Sequence, residues 1–158
     1  MVQLRDAGPA DVPTIARLIR ALSVYEKLEQ DVVMTEELLR ENLFGAHRYA
    51  EVVLAEDAGQ PVGFALFFHS FSTFLGRPGI YLEDLFVEPE RRGQGIGKML
   101  LARLAHLAVE RKCGRLEWAV LNWNRDAIGF YERLGARPNS EWTVYRLSGE
   151  PLERLARE

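Results

Sequence analysis

A glycine-rich turn between a predicted strand and a predicted helix constrains the fold of this chain more than any other feature. Residues 81–87 are mostly apolar or aromatic and predict a strand, and residues 99–108 carry apolar side chains at helical spacing. Residues 92–97, between them, read Arg-Gly-Gln-Gly-Ile-Gly. Such a turn exposes backbone N–H groups at the positive end of the helix dipole. The unit therefore predicts an anion site suited to phosphate.

Two common phosphate loops do not match this turn. A Walker A loop needs four residues between its first glycine and Gly-Lys-Ser/Thr, whereas Gly93 and Gly97 enclose three and Met99 stands at the hydroxyl position. A dinucleotide fingerprint needs a third glycine where this chain has Lys98, and it follows the first strand of its domain. The turn therefore predicts a different phosphate-containing ligand. A tight turn that only lets the helix pack closely on the strand is the structural alternative.

Hydrophobic periodicity divides the rest of the chain into strands and helices. One helix is expected through Val12–Leu22 and a second from an N-cap at Thr35 to Gly45. The other predicted elements are strands at 2–5, 51–55, 62–68, 116–121 and 142–147, and a helix at 126–134 closed by Gly135. The order β-α-α-β-β-β-α-β-α-β predicts an α/β (mixed α+β) fold in one domain, residues 1–158, with a mixed sheet flanked by helices on both faces.

Composition excludes several classes of protein. A net charge of −3 gives no positive field for nucleic acid or an anionic membrane, and no apolar stretch reaches the roughly 18 residues of a membrane span. Cys113 is the single cysteine, so no disulfide within the chain is possible, and the three histidines lack metal-ligand spacing. The first residues lack the pattern of a secretory signal. We expect a soluble, cytoplasmic protein without a metal ion and without nucleic acid or membrane partners.

A second motif follows the predicted strand at 116–121. Residues 124–136 read Asn-Arg-Asp-Ala-Ile-Gly-Phe-Tyr-Glu-Arg-Leu-Gly-Ala. Together with the glycine turn, this motif resembles the two signatures of the Gcn5-related N-acetyltransferase (GNAT) superfamily, in which the turn binds the pyrophosphate of acetyl-CoA. Within that superfamily, the chain is most similar to the spermidine/spermine (diamine) and thialysine acetyltransferases. The segments that carry this likeness are Leu22–Glu29, Phe44–Gly45, Tyr81–Val87, Arg92–Gly97, Trp123–Asn124 and Phe130–Tyr131.

The resemblance implies a GNAT fold with a mostly antiparallel sheet, and transfer of acetyl from acetyl-CoA to a primary amine of a small, diamine- or polyamine-like cation in a ternary complex. It also implies a homodimer, and the aromatic stretch Phe64–Phe74 is more than one small domain readily buries. The cofactor-binding residues that it implies are Leu85, Phe86, Val87, Arg92, Gly93, Gln94, Gly95, Ile96, Gly97, Lys98, Asn124 and Tyr131. The substrate-binding residues that it implies are Tyr25, Glu26, Glu29, Glu83, Asp84 and Trp142.

Glu83 is the predicted general base. An alkylamine with a pKa near 10.4 is protonated at pH 7, so the reaction benefits from a group that accepts a proton. Strand alternation places Tyr81, Glu83 and Leu85 on one face and Leu82 and Asp84 on the other. We expect Glu83 to be buried among apolar side chains, which would raise the pKa of its carboxyl. A carboxylate that only pairs with an arginine is the alternative.

Tyr131 is the predicted general acid. It follows Asn124 by seven residues, or two helical turns, so both side chains can face one groove. A phenol can protonate the departing CoA thiolate, and the resemblance assigns that role to the tyrosine of the Phe-Tyr pair. Packing beside Phe130 is the alternative for Tyr131, and helix capping is the alternative for Asn124. Cys113 has no adjacent histidine and is expected to be structural.

Residues 25–31, which we call the acceptor linker, are expected to bind the amine. Three of its four charges are negative, which favours a cation, and the ring of Tyr25 could contact an ammonium. Lys27 should repel the distal ammonium of a long polyamine but could pair with the carboxylate of an amino acid. Two other functions therefore stay open: acetylation of thialysine or another lysine analogue, and CoA binding without catalysis. An ordinary solvated loop is the structural alternative.

Overall fold

A five-stranded sheet forms the centre of residues Met1–Ala119, the first of two compact units in the computed structural model, which describes residues 1–158. Its strands, in spatial order, are β1 (Val2–Asp6), β2 (Glu51–Asp57), β3 (Gln60–Ser72), β4 (Arg77–Val87) and β5 (Leu116–Trp118). Neighbouring strands are antiparallel except β4 and β5, which are parallel. The predicted mixed, mostly antiparallel sheet is confirmed. Strand β5 ends at Trp118, three residues before its predicted end.

Three helices cover the two faces of this sheet. They are α1 (Val12–Tyr25), α2 (Glu36–Phe44) and α3 (Ile96–Glu110). The buried side of α1 contributes Leu18 and Leu22 to a core cluster that also holds Phe64 of β3 and Phe86 of β4. Phe67, three residues after Phe64 in β3, lies on the other face of the sheet. At the end of α3, the guanidinium of Arg111 lies 5.8 Å from the ring of Phe67. The prediction of helices on both faces is thereby confirmed.

A β-bulge in β4 changes which side chains share a face. Leu66 pairs with Asp84 and Phe67 pairs with Leu82, so Glu83 is an extra residue between two pairs. Because directly paired residues project to the same face, Asp84 lies with Leu66 while Leu82 lies with Phe67. The predicted alternation, with Leu82 and Asp84 on one face, is wrong because the bulge inserts one residue. The expected burial of Glu83 is also wrong, since its side chain is exposed.

The second unit, Val120–Glu158, contains two helices, α4 (Arg125–Arg133) and α5 (Gly149–Ala156). The end of α4 matches its prediction, because Gly135 adopts a φ of 93° and the N–H of Ala136 donates to the carbonyl of Tyr131 at 3.2 Å. Helix α5 was not predicted. The predicted strand at 142–147 is absent. Those residues favour strands, but no neighbouring segment supplies the backbone hydrogen bonds that a strand requires.

None of the helices combines the length and the apolar character that crossing a lipid bilayer requires.

Candidate active site

The glycine turn has the geometry of an anion site. Gly93 and Gly95 adopt φ values of 78° and 82°, the left-handed conformation that glycine tolerates best, and Gly95 is the N-cap of α3. The first helical hydrogen bond runs from the N–H of Met99 to the carbonyl of Gly95 at 3.0 Å. The N–H groups of residues 96–98 therefore have no acceptor within the helix and lie at its positive end. A Cβ built on Gly93 or Gly95 meets no atom within 4 Å, so the space beside the turn is open.

Two residues that the sequence analysis did not single out support this turn. Arg91 donates from Nη2 to Oδ2 of Asp57 at 2.7 Å and from Nε to Oε1 of Gln94 at 3.2 Å. Hydrogen bonds from the Met1 ammonium and from Arg91 hold the pKa of the Asp57 carboxyl below its ordinary value. Asp57, which lies outside the turn, thus restrains the side chain of Gln94 through Arg91. No local signal indicated Asp57, because it lies in the β2–β3 hairpin, 34 positions before Arg91.

Arg92 extends toward the end of α1. Its Nε donates to the carbonyl of Val87 at 3.0 Å, and its Cζ lies 4.3 Å from the ring centroid of Tyr25 and 5.6 Å from that of Phe86. Tyr25 itself packs against the core cluster that contains Phe86. One face of the Tyr25 ring is therefore occupied by a protein cation. A substrate ammonium, which we expected at this ring, would have to use another part of it.

The remaining predicted cofactor residues of the first unit differ in how accessible they are. Phe86 is 3% exposed and belongs to the core, so its side chain cannot contact a ligand at the surface. Leu85 pairs with Ala65 and so lies on the sheet face opposite to that of Phe86. The carbonyl of Val87 accepts a hydrogen bond from Arg92. Lys98 is exposed in the first turn of α3. The turn, rather than the side chains of β4, offers the groups that suit a phosphate.

Three carboxylates from two distant parts of the chain interact near the bulge of β4. Burial, reinforced by the charges of Glu83 and Glu26, raises the pKa of Asp84 to about 7. Burial and the charge of Glu83 also raise the pKa of Glu26 above its ordinary value. We call Glu26, Glu83 and Asp84 the carboxylate cluster. It combines negative charge with a group that can exchange a proton near neutral pH.

The acceptor linker begins with a helix C-cap rather than an open loop. Lys27 has a φ of 62°, its N–H donates to the carbonyl of Val24 at 3.1 Å, and the N–H of Leu28 donates to that of Ser23 at 2.9 Å. Lys27 is exposed, as is Glu29, which lies in a single 3₁₀ turn that spans Glu29–Asp31. Glu26 is the linker residue that belongs to the carboxylate cluster.

The predicted site residues of the second unit lie on or next to α4, except for Trp142. Asn124 is buried and its Oδ1 accepts from the N–H of Ala127 at 3.2 Å, so it caps α4 as the alternative interpretation held. Tyr131 is half-buried, and its ring centroid lies 5.5 Å from that of Phe130. Trp142 is 77% exposed.

The sheet, its flanking helices and the glycine turn define a class of acyltransferases that hold a phosphate-containing acyl donor at a helix N-terminus. Residues 16–136 match the family described as the Acetyltransferase (GNAT) family. The chain belongs to this family and is an N-acetyltransferase. Members of the family use acetyl-CoA as the acetyl donor.

Named relatives agree with this assignment. The chain is 40% identical to thialysine N-epsilon-acetyltransferase from Bos taurus, over 98% of this chain and 97% of that protein. It is 31% identical to human spermidine/spermine N(1)-acetyltransferase-like protein 1, over 99% of this chain and 24% of that protein. An integron cassette protein from V. cholerae, VCH_CASS6, has a similar structure, with a TM-score of 0.83, 28% identity and coverage of 99% and 98%. The predicted resemblance to the diamine and thialysine acetyltransferases is confirmed.

The glycine turn can be tested by replacing Gly95 with valine. Gly95→Val should lower acetyl-CoA affinity at least about tenfold in calorimetry, because a side chain at this φ displaces N–H groups whose charge-assisted hydrogen bonds contribute about 1.5–3 kcal/mol each. Gly76→Val is the matched control, since Gly76 has a φ of 64° and open surroundings at the opposite end of β4. Both variants should lose about 1–2 kcal/mol of stability. Equal acetyl-CoA affinities in the two variants would contradict the assignment.

Proposed function

We propose that this chain transfers acetyl from acetyl-CoA to a primary amine of a small cationic substrate, by direct attack in a ternary complex. The carboxylate cluster is the observation that carries this proposal, because it joins a concentration of negative charge to a carboxyl with a pKa of about 7. We also propose that residues 1–158 work as one domain. The family match at 16–136, which extends across the boundary between the two units, supports that view.

The glycine turn suits the pyrophosphate of acetyl-CoA. The open space beside Gly93 and Gly95, and the N–H groups of residues 96–98, offer donors without a side chain in the way. When bound, acetyl-CoA supplies an activated thioester carbonyl, at which a C–N bond forms as the C–S bond breaks. In this proposal, Arg92, Gln94 and Lys98 line the turn.

The carboxylate cluster prepares the amine for attack. Freeing the lone pair of an alkylammonium at pH 7 costs about 4.6 kcal/mol, so a nearby proton acceptor lowers the barrier. Asp84, with a pKa of about 7, is poised to accept that proton, directly or through the exposed Glu83. Tyr131 then donates its phenolic proton to the departing thiolate, and the proton that the nitrogen releases as the amide forms restores the phenol. Tyr131 keeps its predicted role in this proposal, whereas Glu83, the predicted general base, shares the proton transfer with Asp84.

Release of CoA with a panel of amines tests this function. We expect saturable, amine-dependent CoA release with spermidine, thialysine and lysine, since each presents a primary ammonium that matches the carboxylate cluster. An uncharged alcohol of similar length should support none. Failure of every amine to accelerate CoA release would overturn the proposal.

Lys27 favours an amino acid acceptor over a polyamine. It is an exposed cation adjacent to Glu26 of the carboxylate cluster, where it can pair with a substrate carboxylate but repels a distal ammonium. The thialysine enzyme to which this chain is 40% identical is consistent with that choice. Diamines and polyamines remain the other candidates, and Glu26, Glu29 and Trp142 are proposed to line the acceptor site in either case.

Exchanging the charge of Lys27 tests the choice of acceptor. Lys27→Glu should shift the ratio of kcat/KM for spermidine over thialysine about tenfold upward, because an exposed ion pair contributes up to about 1 kcal/mol and one is lost as another is gained. Lys112→Glu is the matched control, since Lys112 is also exposed and caps a helix at a φ of 58°. A ratio that changes equally in both variants, or in neither, would remove the acceptor linker from the substrate site.

We further propose a cytoplasmic homodimer. The free thiol of Cys113 suits a reducing compartment. Within the stretch Phe64–Phe74, Phe64 is buried, but Phe71 and Phe74 are 65% and 100% exposed at the tip of the β3–β4 hairpin. The unpaired segment 142–147 adds further exposed aromatic and aliphatic side chains.

Light scattering tests the dimer. At micromolar concentration we expect twice the chain mass of 18.0 kDa, because exposed apolar surface of this kind is normally covered in an assembly. Replacing Phe71 and Phe74 together by serine should shift the mass toward that of one chain. A wild-type mass of 18.0 kDa would refute the dimer.

A further inference from the structure

The contact between Arg92 and Tyr25 joins the glycine turn to the acceptor linker. Arg92 is the first residue of the turn, and Tyr25 is the last residue of α1 and the first of the linker. The Cζ of Arg92 lies 4.3 Å from the Tyr25 ring centroid, and its Nε is anchored on the carbonyl of Val87 at 3.0 Å. A guanidinium held at one end by a hydrogen bond and stacked at the other has few alternative positions.

The position of Tyr25 is passed on to the residues that follow it. The N–H groups of Glu26 and Leu28 donate to the carbonyls of Leu22 and Ser23, each at 2.9 Å. These bonds form the cap that ends α1, so a displacement of Tyr25 displaces the linker backbone with it. Because Glu26 belongs to the carboxylate cluster, the Tyr25 ring connects a group of the acceptor site to the turn.

We propose that the Tyr25–Arg92 stack couples the two sites, so that occupancy of the glycine turn orders the acceptor linker. This inference rests on the proposed function, in which the turn holds the acetyl-CoA pyrophosphate. A phosphate bound to the N–H groups of the turn restrains the backbone of the turn. This restraint reduces the range of positions that Arg92 samples and, through the stack, the range that Tyr25 samples. Tyr25 is a positioning residue in this scheme, and its ring face serves the protein rather than the substrate.

Thermodynamic linkage gives the sign and the magnitude of the coupling between the two sites. A ligand that binds better when the stack is formed raises the population of the stacked state, and the amine and the cofactor then strengthen each other by the same factor. Arg92 is exposed, and a cation–π contact at an exposed site shifts an equilibrium by about two- to fivefold. Bound cofactor should therefore raise the affinity for the amine about two- to fivefold, and bound amine should raise the affinity for the cofactor by the same factor.

Hydrogen exchange with CoA alone tests this coupling without an acceptor amine. The N–H groups of Leu28, Asp31 and Val32 all donate to backbone carbonyls in or next to the linker, so their exchange reports its opening. Saturating CoA should slow exchange in peptides spanning residues 26–32 about two- to fivefold in the wild type. Tyr25→Phe, which keeps the ring, should retain that protection. Tyr25→Leu, which keeps an apolar side chain but removes the ring, should lose it.

Arg92→Lys tests the same contact from the other side, because it preserves the charge near the phosphate but removes the planar guanidinium. At a CoA concentration that calorimetry shows to be saturating for this variant, CoA should give no protection of residues 26–32. Unchanged protection in Tyr25→Leu and Arg92→Lys would overturn the coupling, and so would faster linker exchange when CoA binds the wild type. Failure of CoA to bind the wild type, measured by calorimetry, would instead overturn the proposed function on which the inference rests.

Discussion

Asp84→Asn should lower kcat/KM at pH 7 by about 10²- to 10⁴-fold, the range that general acid–base groups contribute. The wild-type kcat/KM should rise with pH through about 7 as the Asp84 carboxyl loses its proton, and this limb should vanish in the variant. Calorimetry should show unchanged acetyl-CoA affinity, because the carboxylate cluster is distinct from the glycine turn. Glu83→Gln is the comparison variant. If Glu83→Gln abolishes turnover and Asp84→Asn does not, the base is Glu83 acting alone.

The same variant should change stability in a way that depends on pH. The pKa of Asp84 is raised from 3.8 to about 7 in the folded protein, so the folded state binds the proton more tightly than the unfolded state does. The contribution of protonated Asp84 to the free energy of unfolding is therefore fully present below pH 4 and is lost as the pH rises to about 7. Asn cannot ionise, so Asp84→Asn does not suffer this loss. At pH 8, the free energy of unfolding of the variant, compared with that of the wild type, should be higher by up to about 4 kcal/mol than the same comparison gives at pH 4. Denaturant unfolding at pH 4 and pH 8 measures it, and a gain that does not grow with pH would contradict the raised pKa.

Tyr131→Phe should lower kcat about 10²-fold or more while leaving acetyl-CoA affinity within about twofold. The substitution removes only the hydroxyl, so a loss confined to kcat indicates an interaction made in the transition state. The ring contact with Phe130, at 5.5 Å between centroids, should survive. Stopped-flow CoA release with saturating amine measures the step. Near-normal turnover would limit Tyr131 to packing.

Phe130→Leu is the matched control for Tyr131→Phe. It alters the neighbouring ring on the same helix, but it removes no proton donor. Its effect on kcat should stay below about tenfold, although it should lower stability through lost ring packing. Equal losses of kcat in both variants would indicate that α4 is merely distorted.

The parts of this protein that depend only on residues close together in the sequence were predictable from it. The glycine turn, the start of α3 and the close of α4 at Gly135 follow from local backbone preferences, since glycine tolerates a positive φ and the helix dipole needs only the helix. The two motifs, read in order, were enough to identify the family. The β-prone segment 142–147 shows the limit of such reasoning, because a strand also needs a partner.

The tertiary structure alone decided the chemistry of the carboxylates and the support of the turn. A single extra residue at the β4 bulge leaves Glu83 exposed and Asp84 partly buried, and alternation cannot foresee a bulge. Asp84 owes its raised pKa to burial, to the charge of the adjacent Glu83 and to that of Glu26, 58 positions earlier in the chain. The contacts of Arg91 with Asp57 and of Arg92 with Tyr25 likewise join residues far apart in sequence. Residue types indicated which chemistry was available, but desolvation and charge proximity depend on distances in space, which only the folded chain sets.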